Sequence, residues 1–411
     1  MNPRLIPASA GVALLAVAAL APAATAQTIE QVAGGLNAPR GLAIADDGSI
    51  VVAEAGLAGD TCPMGDAGFC FGPTGSIARI TDGNVERIAE GLPSAGSGPE
   101  VVGPSDIALG ADGSVYTVIN WGGDPGERQE GDLGGWIVKI GADGNVEPVA
   151  DVASFEATDD PDAEFSGGVL DTNPQSLVMI DDGFVVADAG ANALLGVAAD
   201  GTVSEISVFP PQMHEVPQEM LAAMGPPPET DGEMAPEGEE MAEGEDMAAE
   251  GAEGAEGGDE MAPGGGMVPL PVESVPTSVI LGPDGAYYTG ELTGGPFPVG
   301  GARIMRMEPG GQPEVYATGL TNVMDLGFGP DGRLYVAEIV HDGLMSVFMG
   351  GDVPPVGAVM AVPAGGGVAE MVASGEQLMA LGGLVVADDG SIFVTANTLM
   401  PGEGTLVKIT P

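Results

Sequence analysis

Polar side chains recur at matching offsets along this chain. Arg40, Asp106, Gln175, Ser278 and Asp325 each stand within three residues of a Pro or Asn, at the start of an apolar run. Glu54, Asn120, Asp188, Glu291, Glu338 and Asn397 each close the next apolar run. Core packing would select apolar groups at such places, so recurring polar ones mark either a binding site or hydrogen-bonded strand ends. Carboxylates and amides are hard oxygen donors. If they hold a cation, Ca²⁺ suits them best, and Glu54, Asp106, Asp325 and Glu338 are the candidate ligands. Trp121, beside Asn120, offers an apolar wall for a ring-shaped ligand. Arg40 is the only base in either row and suits a substrate carboxylate or one of the acids.

Other chemistry is sparse. The two histidines are His214 and His341, and no GxSxG elbow, HExxH pair or phosphate-binding loop occurs. His341 followed by Asp342 reads as a polar loop pair. Cys62 and Cys70 are too far apart for a CxxC redox pair and lack partner ligands for zinc. In an exported chain they read most simply as a disulfide.

The elements that would position these residues are repeated. One unit recurs six times: a short apolar strand, an Asp-Gly turn, then a second β-rich strand. PRGLAIADDGSIVVAEAG (39–56), PSDIALGADGSVYTVINWG (104–122) and LGGLVVADDGSIFVTANT (382–398) are three of the copies. Asp-Gly between apolar runs is a hairpin signal of the type I′ kind. Most copies are followed by a weaker strand pair, as in IARITDGNVERIAEGL (77–92). Four short antiparallel strands, six times over, predict an all-β, six-bladed β-propeller. The last copy ends at Thr405–Ile409, one strand short. TIEQVAGGL (28–36) resembles the outer strand of the other copies and is expected to complete the last blade. In such a meander the loop leading into the inner strand and the loop after the second strand share one face. The two polar rows are therefore expected to converge around the pore mouth.

Sixty-one acids against ten bases give a net charge of −51. Nucleic acid and anionic membranes need a positive footprint, so both are excluded as partners. Divalent cations, a small molecule or a protein partner remain. Between Glu229 and Glu260 stand 14 carboxylates and no base, so residues 213–271 read as a disordered acidic insert between blades one to three (27–212) and blades four to six (272–411). Its methionines (Met234, Met241, Met247, Met261) could bind soft metal, but a solvated tether accounts for them. The N-terminus has a short basic start, an apolar run over 8–21 and the stretch Ala24–Ala26. That is the layout of a signal peptide over 1–26, cleaved before Gln27, with no membrane anchor. A secreted or periplasmic protein is expected.

Several stretches carry a resemblance: GLNAPRGLAI, CFGPTGSIARI, DTNPQSLVMIDDGFVVADAGANALLGVAADGTVSEISVFPP, VPTSVILGPDGAYYTGELTGGPFPVGGARIMRM and VYATGLTNVMDLGFGPDGRLYVAEI. In their order and spacing the chain resembles the ScyD/ScyE family of exported, NHL-like propellers, from about Gln31 to Pro411 apart from the insert. The chain departs from that pattern in its acidic insert and in Trp121. The resemblance implies fold and export more than a reaction. Two functions stay open: a non-enzymatic propeller that binds a small molecule or partner at its pore mouth, and a divalent-cation-dependent enzyme of lactonase or strictosidine-synthase-like type. A cation-buffering envelope protein is a third.

Overall fold

The structure is a computed structural model and describes residues 27–63, 69–129, 131–218, 220–221, 266–349 and 353–410. The expected leader and most of the acidic insert lie outside these residues. Six sheets, each with four antiparallel strands and two of them with a short fifth strand at the outer edge, form a six-bladed β-propeller. Blade one is Pro39–Ile44, Ile50–Glu54, Cys70–Thr81 and Asn84–Ser97, from the channel outward. The inner strands that follow are Pro104–Leu109, Pro174–Ile180, Pro276–Leu281, Val323–Phe328 and Leu384–Val386.

Second strands are buried along their whole length in blades one, four and five: Ile50–Glu54, Tyr287–Glu291 and Leu334–Glu338. A blade packs on a neighbour on both faces, so its second strand needs apolar side chains at every position rather than at alternate ones. The core is divided accordingly: its six largest clusters lie one between each pair of adjacent blades, with two smaller ones beside them. Val51, Ile77 and Ile119 fill the first gap, and Leu36, Leu42 and Leu406 fill the last. The other four lie between blades two and three, three and four, four and five, and five and six.

Thr28–Leu36 closes the ring as expected. It pairs antiparallel with Gly404–Thr410, from Thr28 opposite Thr410 to Leu36 opposite Gly404. The Asp-Gly turns of the inner hairpins depart from the type I′ reading, whereas Asp82-Gly83 in the outer hairpin of blade one fits it, with both residues at positive φ (48° and 80°). In the inner hairpins only the glycine has positive φ (Gly48 81°, Gly113 82°, Gly332 79°). The aspartate stays at negative φ, and its carboxylate accepts the N–H two residues on, as Asp47 does from Ser49 and Asp112 from Ser114. Local side-chain hydrogen bonding favours a type I turn followed by a left-handed glycine.

The flanks of the acidic insert also depart from expectation. Gln212–Pro217 pairs antiparallel with Met267–Val272. The described ends of the segment read as disordered are thus a hairpin, anchored by the buried Val216 and Val272. Alternating burial along Gln212–Pro217 is the strand pattern that the insert's composition had masked.

Candidate functional site

Five of the six inner strands begin irregularly. Register shifts fall between Pro39 and Leu42, Pro104 and Asp106, Pro174 and Ser176, Pro276 and Ser278, and Val323 and Asp325. Such a bulge breaks the alternation, so two successive residues reach the axis of the ring. Arg40, Ser105, Asp106, Gln175, Ser176, Thr277, Met324 and Asp325 line a constriction there, with Gly41 and Gly382, and its free volume is about 10 Å³. All six blades contribute. Further along the inner strands the channel widens to about 410 Å³, with the apolar side chains of Leu42, Ile107, Leu177, Val279, Leu326 and Leu384 in its wall and polar groups, Asp106 and Asp325 among them, exposed between them. It opens by the turns of blades one and six into a mouth of about 910 Å³.

The second residue after each strand-opening position makes a belt between blades. Asp106 accepts the Ser176 hydroxyl (2.6 Å) and the Leu177 N–H (3.0 Å) of the next blade. Ser176 accepts the Val279 N–H of blade four at 3.1 Å. Asp325 accepts the Leu384 N–H of blade six at 2.7 Å. At the same position in blade one stands Gly41, where a Cβ would overlap the Asp106 carboxylate and backbone. Blades two and five are opposite in a ring of six, so Asp106 and Asp325 face each other across the constriction. Burial raises Asp106 to about 6 despite three hydrogen bonds. Asp325 is raised well above the ordinary carboxylate range, by burial first and then by the charge of Asp106. Two such carboxylates in a narrow channel hold a proton near neutral pH. Arg40 donates to the Val101 carbonyl (2.6 Å), while its Nε is buried without a partner.

The row that closes the second strands has a different job. Glu54, Asp188, Glu291 and Glu338 are fully buried, and each bonds the loop leading into its own blade. Glu54 accepts from the Asn37 N–H, the Ser76 hydroxyl and, in two bonds, Arg87. Glu291 accepts from the Ser274 hydroxyl and Arg303. Glu338 accepts from the Thr321 N–H and contacts His341 Nδ1. Asp188 accepts from the Thr172 hydroxyl and from the N–H groups of Asn173, Gly190 and Ala191. Burial raises it to about 6, with no base at hand. Asn120 ties blade two to Asn173 and Pro174 of blade three, and Asn397 bonds the Glu403 carbonyl.

The structure therefore gathers Arg40, Asp106, Gln175 and Asp325 at one constriction and sets the closing row apart from it. Ser278 is buried and accepts the Gly290 N–H, leaving Thr277 to line the channel. Trp121 lines a separate groove, 6.2 Å from the Phe71 ring, beside the loop that Cys62 and Cys70 close by their disulfide. Glu54, Asp106, Asp325 and Glu338 do not come together as one set of metal ligands. Among the described residues, the group of three whose ligand atoms lie within 4.8 Å of one another is Glu156, Asp160 and Asp162. Ser105, Ser176 and Thr277 escaped the sequence reading, although each follows a strand-opening proline by one or two residues.

No family model and no curated protein matches the chain. Solved structures do. A protein of unknown function from Bacteroides thetaiotaomicron aligns with TM-score 0.50 and 9% identity over 94% of this chain and 76% of its own. A gluconolactonase from Xanthomonas campestris gives 0.49 and 9%, over 93% and 89%. A virginiamycin B lyase from Staphylococcus aureus gives 0.43 and 11%, over 94% and 99%. At such identities the likeness is one of fold, the β-propeller, and carries no substrate with it.

Proposed function

We propose that this chain is an exported binding propeller of the ScyD/ScyE type. Its channel takes a small molecule with an apolar body and a hydrogen-bond-donating or cationic end. The observation behind this reading is a polar collar, Asp106 and Asp325 with Gln175 and Arg40, set directly above a channel of about 410 Å³ whose wall carries apolar side chains among polar groups. Pockets of that volume suit small molecules, and a few convergent polar groups fix orientation. The Cys62–Cys70 disulfide supports an oxidising compartment, secreted or periplasmic. The second reading, an enzyme, draws on the same pair: two opposed carboxylates, one holding a proton, are the elements of acid–base catalysis. Native mass spectrometry of the full chain purified from an envelope extract tests the first reading. A co-purifying small molecule should be present in the wild type and lost in D106N/D325N. An empty wild type, or equal loading of both proteins, would overturn it.

A further inference from the structure

Between blades two and three the chain makes an excursion through two short helices, Ala153–Asp159 and Ala163–Ser166. It returns through Asp171 and Thr172 to the inner strand of blade three. Glu156, Asp160 and Asp162 meet within this excursion, their oxygens within 4.8 Å of one another. Glu156 is 1% exposed and Asp162 2%. Neither oxygen of Glu156 has a hydrogen-bond partner of good geometry, and Asp160 Oδ1 and Asp162 Oδ1 are buried and unpartnered as well. Four carboxylate oxygens thus face one another, and the donor nearest them is the Asp171 N–H, which approaches Glu156. Unpaired carboxylates in such a place are among the most unfavourable arrangements a protein can hold, unless a proton or a positive charge stands among them.

The surroundings add a second, independent argument. In blades one, four and five the buried carboxylate at the end of the second strand has a basic partner: Arg87, Arg303 and His341. Blade three has none for Asp188. In place of a base, Asp188 has the three-carboxylate cluster as its neighbour. Asp188 stands next to Glu156. Asp171 and Glu273 stand beside Asp162 as well. The nearest arginine along the excursion, Arg128, is held by Asp151 and Ser154. No described ion pair includes any of these six acids.

One ligand is already oriented. Asn192 donates to Asp162 Oδ2 at 2.8 Å and accepts the Val275 N–H of the segment entering blade four at 2.9 Å. Asp162 Oδ2 is thereby fixed and Oδ1 is left for the cluster, the arrangement by which a neighbouring amide aims a metal ligand.

We infer that Glu156, Asp160 and Asp162 bind a divalent cation of the Ca²⁺ class. The ion supplies the positive charge that blade three lacks and fastens the 153–171 excursion to the junction of blades three and four. All-oxygen, multiply charged donors select Ca²⁺ over soft metals. The site is separate from the channel and does not depend on what the channel binds.

The test uses the full chain, stripped with EDTA and titrated with CaCl₂ by calorimetry, with thermal melts in Ca²⁺ and in EDTA. One saturable site with Kd below about 100 µM is expected, together with a higher melting temperature in Ca²⁺. E156Q and D162N should each weaken binding at least tenfold and abolish the thermal shift. D160N, at the half-buried rim, serves if those two fail to fold, and the same loss is expected of it. D106N/D325N and a chain lacking residues 229–260 should both keep the site. A wild type with no saturable site, cluster variants that bind as tightly as wild type, or loss of the site on removing 229–260 would each overturn the assignment.

Discussion

Asp106 accepts three hydrogen bonds, from Ile107, Ser176 and Leu177, and still ionises at about 6. Desolvation inside the channel outweighs the donors. In the unfolded chain an aspartate ionises near 4. Between about pH 4 and pH 6 the folded state therefore keeps a proton that the unfolded state has lost. Stability falls as pH rises through that window and stays at the lower level above it. One such group contributes about 3 kcal/mol to the fall. Asp106→Asn removes the titration. An amide has one acceptor fewer, so absolute stability drops, but the slope between pH 4.5 and pH 7 should flatten. Urea unfolding midpoints of the two proteins across that range check this. Parallel curves would mean that Asp106 does not titrate there.

At the scale of elements, the strand that locks the ring and the acidic insert make opposite predictions. Thr28–Leu36 bonds Gly404–Thr410 along its whole length and places Ala33 and Leu36 in the core between blades six and one. Deleting it leaves an open sheet edge and an exposed core, so the melting temperature should fall by more than about 10 °C. Deleting residues 229–260 leaves the paired flanks in place and should shift it by less than about 2 °C. Calorimetric scans of both deletions decide, and equal shifts would refute the lock. Blade number and closure were legible because six Asp-Gly hairpins repeat and the last copy lacks a strand. Which polar residues face the axis was not. The bulge after each strand-opening residue places Ser105 beside Asp106 and Thr277 where Ser278 was expected, and strict alternation cannot show that. The Glu156 cluster was hidden differently. Among 61 acids, three that the fold buries together look like any others.

For the molecule as a whole, 61 of 71 charged side chains are acidic, and most of the described bases are spent on particular carboxylates: Arg87 on Glu54, Arg303 on Glu291, Arg128 on Asp151. Other buried acids are met by backbone donors, as Asp188 is by the N–H groups of Asn173 and Ala191. Export carries its own prediction. Expressed in a secreting host, the protein should begin at Gln27 by intact mass, and unreduced, denatured protein should titrate no free thiol. A retained Met1 in the envelope fraction would count against cleavage, and two free thiols against the oxidising compartment.

Thr28–Leu36 is made before every other strand described, and its partner, Gly404–Thr410, after them all. Until that partner is made, the first strand has nowhere to pair. Every blade between can form its own hairpins, yet the circle stays a horseshoe with two open sheet edges. Closure is thus a late event in which the two ends of the fold meet, and a chain that lacks Gly404–Thr410 keeps both edges open to pairing with other chains.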